Sequence, residues 1–400
     1  MRSSSPLATA CACAALAWAA PAAADVTVFD APSVADFKLD LYGWVQPRFT
    51  YQEQDNRPTV NFQPTPAFTV QRARMGTVAT MGPWARAQVE VDFSGEYAVP
   101  YDAYVVLSPI HEEVASLNLT VGQFRVPFSR QNLLPSVAYQ FADVAYFVAP
   151  NFIVDRDIGG MLWSDLFSGI LRLEVGVFDG NNPAKGAKVK TDPDFLYAAR
   201  VSVSPFGPAP RFEGDLRPLG AQHRFVLTMA GSVMKHRADE LNFVRNYAGA
   251  DVAAYWEGAS LYGEFYYHVD DPIPVPGAAT GQRVRQLGWN VQAGYFPPLP
   301  WVREHLEAVA RVEFFDPNTD VLHPTNDSGA RDLDQTNPTW GYMGYVFGAN
   351  YFLNHKHTLK AQASYEIRNE TKQCLLGQTL PNCTGYIANN LFVAQITAGF

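Results

Sequence analysis

The stretch KLDLYGWVQPRFTY, residues 38–51, alternates between two kinds of side chain. Its odd positions are mostly apolar, whereas its even positions hold the charged residues Lys38, Asp40 and Arg48. Successive side chains of a β-strand point to opposite faces, so this stretch predicts a strand with one apolar and one polar face. Pro47 lacks the N–H that a central strand donates, and we therefore expect a local bulge there.

The same period of two returns along most of the chain, clearly in residues 85–93, 261–268, 306–314 and 359–368. Short connections alternate with long polar ones, which we place near residues 53–66, 179–194, 235–248, 270–285, 316–339 and 369–388. Tight turns at one end and long loops at the other are typical of outer-membrane barrels. We count sixteen strands. The sequence thus predicts an all-β fold, a transmembrane antiparallel β-barrel of sixteen strands over residues 38–400, with both termini at the periplasmic end.

The composition agrees with a membrane barrel. Charged residues make up 17% of the sequence and aromatic residues 13%, with a net charge of −9. Soluble domains average about 25% charged residues. Beyond the first 24 residues no run of 18 apolar residues occurs. Helical membrane spans are therefore excluded, and the membrane signal has to lie in the alternation of the strands.

The two ends of the chain indicate export to the bacterial outer membrane. Residues 1–24 combine Arg2 with an apolar run over 7–19 and the triplet Ala22-Ala23-Ala24, the pattern of a signal peptide cleaved before Asp25. Residues 25–37 would form a short periplasmic segment. The last predicted strand ends on Phe400, which resembles the signal that barrel-insertion machinery reads.

Two cysteines remain after removal of the signal peptide, Cys374 and Cys383. They lie close together in a polar stretch of an exported protein, so we expect one disulfide between them. Their spacing fits neither a thioredoxin motif nor a zinc knuckle, although a redox or metal pair is the alternative.

Three segments carry a resemblance to a known family. The segments QRAR (71–74), VGQFRVPFS (121–129) and DRDIG (155–159) resemble the phosphate-selective porin O/P family. This resemblance implies a sixteen-stranded barrel, a homotrimer, and a third loop folded into the lumen as a constriction. That loop would span residues 126–157. Its middle is rich in apolar residues, as expected of a segment packed against the inner wall.

Basic residues near this loop are the candidate pore and selectivity residues. Three of them lie on neighbouring predicted strands and three at the ends of the loop; they are Arg72, Arg74 and Arg86, then Arg125, Arg130 and Arg156. Arginines in a narrow, low-dielectric ring attract anions and bind phosphate or carboxylate oxygens. The middle of the loop, residues 131–154, contains no Lys or Arg and one acid, Asp143. It departs from the phosphate-selective pattern, while an anion preference stays open.

We therefore expect a porin that lets small hydrophilic solutes, especially small inorganic or organic anions, diffuse passively. The alternatives are a barrel enzyme of lipase type and a non-conducting anchoring barrel. The expected surroundings are outer-membrane lipid and lipopolysaccharide. We expect the acidic loop 316–339 to be a solvated external loop, and divalent-cation binding near lipopolysaccharide is the alternative. We expect no catalytic residues, no cofactor, no metal site and no nucleic-acid partner.

Overall fold

A computed structural model describes residues 26–33, 36–53, 65–148, 152–180, 194–208, 210–217, 225–238, 243–274, 283–300, 302–317, 319, 340–354, 358–372 and 390–400. The described residues form seventeen strands: β1 Val26–Ala31, β2 Phe37–Gln52, β3 Thr65–Met81, β4 Ala85–Asp92, β5 Val99–His111, β6 Ser116–Arg125, β7 Arg156–Leu166, β8 Leu171–Phe178, β9 Leu196–Val203, β10 Phe225–Ala238, β11 Phe243–Trp256, β12 Ala259–Pro272, β13 Val284–Tyr295, β14 Leu306–Asp316, β15 Trp340–Phe352, β16 Leu359–Lys372 and β17 Leu391–Gly399.

Strands β2 to β17 close a sixteen-stranded antiparallel barrel, as predicted. Each pairs with the next along the chain, and β17 pairs with residues 44–52 of β2 to close the ring. Strand β1 lies in the segment expected to precede the barrel, and it pairs with residues 37–41 of β2, beyond the end of β17. Strand β1 and Phe400 thus lie at one end of the barrel, which we call the periplasmic end.

The alternation along each strand separates an apolar outer wall from a polar inner wall. In β4, Arg86, Gln88 and Glu90 are buried inside the barrel, whereas Val89 between them is 48% exposed on the outside. A closed barrel satisfies its backbone hydrogen bonds within the sheet, so an apolar outer wall can face hydrocarbon. This is a transmembrane barrel of the kind that the bacterial outer membrane holds.

The bulge expected at Pro47 is present, but the extra residue lies on the partner strand. Gln46 of β2 pairs with Arg72 of β3, and the next residue, Pro47, pairs with Val70. Gln71 is therefore left without a partner across the ladder, as in a β-bulge. The bulge shifts the pairing register at Pro47, whose nitrogen has no hydrogen to donate. It also keeps Arg72 and Arg74 on the inner face of β3.

The third external loop, residues 126–155, is named L3 below and folds inward. It contains a one-turn helix, α1 (Arg130–Leu133), and a 3-10 turn (Ser136–Ala138). Its side chains contact inward-facing residues of β2, β12 and β14, and its Tyr139 carbonyl oxygen accepts from Lys360 of β16, so L3 lies inside the barrel.

Two expectations about the connections were wrong. The long loop placed at residues 235–248 is mostly strand, since Lys235 pairs with Asn246 and only residues 239–242 separate β10 from β11. The periplasmic connections are not all short: residues 204–224 link β9 to β10. The first expectation was wrong because pairing with a neighbouring strand extends β10 and β11 through polar residues. The second was wrong because a polar connection can fold back into the polar interior of the barrel.

Candidate functional site in the barrel interior

The inner wall is densely charged, and its cations and anions lie on the faces predicted from the alternation. All of the following are less than a tenth exposed: the cations Arg48, Arg74, Arg86, Arg172, Arg200, Arg311, Lys360 and Arg368, and the anions Asp40, Glu90, Asp92, Asp102, Glu174, Glu264, Glu307, Glu313 and Glu366. A water-filled or polar lumen explains why these groups face inward.

Polar side chains of the wall hold L3 on one half of the barrel. Gln140 donates to Glu307 Oε1 (2.6 Å) and to Ser260 Oγ (2.8 Å). Its carbonyl oxygen accepts from Asn350 (2.9 Å), while Lys360 Nζ donates to the carbonyl oxygen of Tyr139 (2.5 Å). These contacts fix the middle of L3 against strands β12 and β14 to β16.

The start of L3 is held at a second polar point. Ser129 has a φ of 67°, a left-handed conformation that is rare for residues other than glycine. Its hydroxyl donates to Glu264 (2.9 Å) on β12 and accepts from the backbone N–H of Asn132, which caps α1. The strained turn directs the chain from β6 into the lumen.

Aromatic packing completes the attachment of L3 to the wall. The ring of Phe147 stacks on Phe315 of β14, with centroids 5.6 Å apart, and the ring of Phe152 stacks on Tyr266 of β12 at 5.2 Å. Phe128 packs against the same Tyr266. Aromatic burial of this kind gives L3 an apolar anchor beside its hydrogen bonds.

Two glycines of β13 make room for this packing. A Cβ atom on Gly288 would lie 2.9 Å from the ring of Phe152 and closer still to Phe147, and one on Gly294 would collide with Gln140. A larger side chain at Gly288 would therefore have to displace the Phe147 and Phe152 rings of L3, whereas one at Gly294 would displace the end of the Gln140 side chain. These glycines belong to the site and were not identified from the sequence.

Asp143 joins L3 to β2 and β3, which continue the wall beyond β16 and β17. Its carboxylate pairs with Arg48 Nη1 (2.6 Å) and with Arg72 Nη2 (3.0 Å). Burial opposes ionisation of this carboxyl, but the guanidinium groups of Arg72 and Arg48 outweigh it and lower the pKa of Asp143 to about 2. The carboxylate therefore neutralises part of the positive charge that Arg72 would otherwise present to the lumen.

A second segment enters the lumen from the periplasmic end. Residues 210–217, within the connection between β9 and β10, place the Glu213 carboxylate against L3, where it accepts from Gln131 Nε2 (2.9 Å) and the Gln140 N–H (2.7 Å). It also accepts from Gln292 Nε2 of β13 (2.9 Å), and Glu213 N–H donates to the carbonyl oxygen of Ala138. Segment 210–217 thus holds L3 in place from the periplasmic side, and we call this contact the latch.

Replacing Glu213 with alanine should loosen L3. Three buried donors would lose their acceptor, and each unsatisfied donor costs about 1–3 kcal/mol. We expect larger current fluctuations in single-channel records and a lower temperature of the heat-induced gel shift. Glu213→Gln, which keeps an acceptor oxygen, should lie between the two proteins. Identical records from all three would show that the latch does not restrain L3.

The six candidate arginines divide into two groups. Arg74 pairs with Asp92 (2.8 Å), Arg156 pairs with Asp102 (2.7 Å), and Arg72 with Asp143 as described above. The Arg74 and Arg156 guanidinium groups also lie over the ring of Tyr101. These three cations are compensated within the protein and fasten L3 and its flanking strands.

Arg86, Arg125 and Arg130 form no ion pair within the part of the chain that the structure describes. Arg86 donates to Gln88 Oε1 (3.0 Å) and Arg125 to the carbonyl oxygen of Leu133 (2.9 Å). Arg130 donates to the carbonyl oxygen of Pro210 and to the Tyr255 hydroxyl, so it joins α1 to segment 210–217. The predicted arginines therefore differ in their partners: three are paired with carboxylates and three are bound by neutral acceptors.

A cavity of about 150 Å³ lies between L3 and the wall of β4 to β8. Its lining includes Leu133 and Pro135 of L3 together with Arg86, Arg125 and Arg172 of the wall. Most contacts of L3 go to the other half of the barrel, and within the described residues this cavity offers space for a small solute beside L3.

Several predictions lie outside the described residues: the signal peptide at 1–24, the Cys374–Cys383 disulfide and nearly all of the acidic loop 316–339. Within the described ranges, His, Cys, Asp and Glu side chains form no group of three that could hold a metal. None of the helices in the described part of the chain is long and apolar enough to cross a membrane.

No family model matches the sequence, and no curated protein matches it. Solved structures do share its fold. The outer-membrane channel DcaP of Acinetobacter baumannii is 14% identical with a TM-score of 0.57, and the alignment covers 94% of this chain and 100% of that one. OprB of Pseudomonas putida is 11% identical with a TM-score of 0.55, covering 90% and 94%. The trimer form of OmpT, an outer-membrane protein of Vibrio cholerae, is 12% identical with a TM-score of 0.52, covering 91% and 99%. The chain thus has a porin-type barrel fold.

Proposed function

We propose that this protein is a porin through which small hydrophilic solutes, preferably anions, diffuse across the bacterial outer membrane. The observation that carries the proposal is the open cavity between L3 and the charged wall of β4 to β8 inside a barrel with an apolar exterior. Selectivity in such a channel follows the charges at its narrow part. Here Arg86 and Arg125 line the cavity without a carboxylate partner among the described residues, which favours anions.

Membership of the phosphate-selective porin O/P family is a finer proposal, supported by the motifs at 71–74, 121–129 and 155–159. Three arginines of these motifs, Arg72, Arg74 and Arg156, pair with carboxylates. Their positive charge is largely compensated by these carboxylates, so we propose a general anion preference rather than phosphate specificity.

We further propose that the protein is a homotrimer embedded in lipid and lipopolysaccharide, after export by its signal peptide. The trimer form of OmpT, which shares the fold, supports this oligomeric state. Electrophoresis without heating, compared with a heated sample, measures it: a species of three times the monomer mass is expected.

We propose that the protein is not an enzyme. A lipase-type site needs Ser, His and an acid in hydrogen-bonding order. The His–Asp pair that the structure describes, His268 with Asp270 (2.8 Å), has its imidazole buried inside the barrel and stacked on Tyr247. That imidazole is engaged by its neighbours and faces away from lipid. Incubation with phospholipid and a chromogenic ester should release no product.

Reconstitution in planar bilayers tests the channel. In KCl we expect discrete conductance steps. With unequal KCl concentrations on the two sides of the bilayer, we expect a reversal potential whose sign indicates a preference for Cl⁻ over K⁺, because Arg86 and Arg125 line the cavity without a carboxylate partner among the described residues. A cation-selective potential would contradict the anion preference. Bilayers that show no steps despite inserted, folded protein would favour the anchoring barrel.

A further inference from the structure

Three N–H donors around the cavity have no acceptor. Trp44 Nε1, Arg86 Nε and Arg125 Nε are buried without a hydrogen-bond partner among the described residues. Trp44 and Arg86 are themselves more than nine-tenths buried, and all three residues line the same cavity. Buried donors are nearly always satisfied in native proteins, so three unmet donors at one cavity indicate a missing acceptor.

The missing acceptor also has to carry negative charge. The three carboxylates on the cavity lining pair with other residues: Glu90 with Tyr42 and Arg74, and Asp102 with Arg156. Glu174 pairs with Arg172 through Oε1, while its Oε2 lies 3.9 Å from Arg200 Nε and accepts no hydrogen bond among the described residues. Arg86 and Arg125 have no such partner, and both lie within electrostatic range of the Tyr104 hydroxyl. Arg125 shares the fields of the Glu90 and Asp155 carboxylates with other arginines. Water would satisfy the hydrogen bonds but would supply no negative charge to Arg86 and Arg125, whereas an anion would supply both.

The remaining lining distinguishes between kinds of anion. Phe124, Met161 and Trp163 add apolar surface to the lining beside the arginines' polar groups. Inorganic phosphate has no apolar surface to place there, and its double charge would be repelled more strongly by the three wall carboxylates. A carboxylate attached to a small apolar body matches both parts of the lining.

We propose that this cavity is a binding site for a small organic monocarboxylate, with Arg86 and Arg125 binding the carboxylate and the apolar surface holding its apolar body. The proposal rests on the channel function only in that the bound acid would be a permeating solute. The volume of about 150 Å³ restricts the ligand to a small molecule.

Isothermal titration calorimetry of the full, detergent-purified protein tests the site with benzoate. Benzoate should bind more tightly than acetate, because only benzoate has an apolar body to bury. Arg86→Gln and Arg125→Gln should each weaken benzoate binding by about tenfold, the loss expected for a charge-assisted hydrogen bond. Arg237→Gln is the matched control, since Arg237 lies at the outer end of β10 and is paired with Asp194. The heat-induced gel shift of each variant shows that the barrel is folded.

Current records separate this site from the channel proposal. If the protein conducts KCl but benzoate binding is absent, or is unaffected in both arginine variants, the site is wrong and the channel stands. If phosphate binds in an arginine-dependent way and benzoate does not, the monocarboxylate assignment is wrong. If benzoate binds in an arginine-dependent way but no current flows, the site stands and the passive channel falls. Block of the KCl current by benzoate, lost in Arg86→Gln, supports both.

Discussion

Replacing Gly288 with leucine should raise the single-channel conductance roughly twofold, because L3 would leave its place on the wall and widen the narrow part of the pore. A Cβ atom at this position already overlaps the ring of Phe147 and lies 2.9 Å from that of Phe152. Overpacking of this kind costs about 1–3 kcal/mol if the neighbours stay in place. L3 relieves that cost by moving, since the strands of a closed barrel cannot.

Gly231→Leu is the control for this experiment. Gly231 lies on the outer face of β10, and a Cβ atom there would meet nothing within 4 Å. The same side chain added there should leave the conductance unchanged. If Gly288→Leu conducts like the unmodified protein while its gel shift shows a folded barrel, L3 does not limit the current. A fall in conductance would mean that L3 moves into the open side.

Replacing Asp143 with asparagine should make the channel more anion-selective, with the Cl⁻ to K⁺ permeability ratio rising roughly twofold or more. The change removes the partner of Arg48 and Arg72, whose guanidinium groups lie 2.6 Å and 3.0 Å from the carboxylate. Their charge then acts on the lumen. Reversal potentials in unequal KCl measure the ratio, and Asp194→Asn, which removes the same charge from a pair at the outer end of β10, is the control.

The pH dependence follows from the low pKa of Asp143, about 2. A carboxyl whose pKa is lower in the folded protein than in the unfolded chain contributes stability above its ordinary pKa of about 3.9, and this contribution is lost as the pH falls toward 2. Between pH 7 and pH 4.5 the Arg48–Asp143–Arg72 contact should therefore remain. A selectivity step in that range that disappears in Asp143→Asn would show that the carboxyl titrates much higher.

The placement of the arginines shows how far sequence reasoning reaches. The alternation placed Arg72, Arg74 and Arg86 on the inner face, and the structure agrees. The alternation did not reveal that Arg72 pairs with Asp143 and Arg74 with Asp92, while Arg86 donates only to the neutral Gln88. Parity along a strand says which face a side chain occupies. The height and partner of that side chain depend on the register of neighbouring strands and on L3.

Segment 210–217 and the two glycines of β13 were missed for a related reason. A polar connection between two strands carries the same sequence signal whether it lies in water outside the barrel or folds back inside, because a polar lumen accepts both. Likewise, Gly288 and Gly294 interrupt the inner row in a way that indicates a gap, but the residues that fill it are about 150 positions away in the chain.

The sequence by itself determined the strand count of the closed barrel, the apolar outer wall, the charged inner wall and the bulge near Pro47, because each follows from a local period or from a residue's own backbone chemistry. The inward third loop was implied by the family resemblance and by the apolar middle of that segment. The tertiary structure decided which charges cancel, where L3 is anchored and on which side the lumen stays open. Those features depend on contacts between residues far apart in sequence, and no local pattern encodes them.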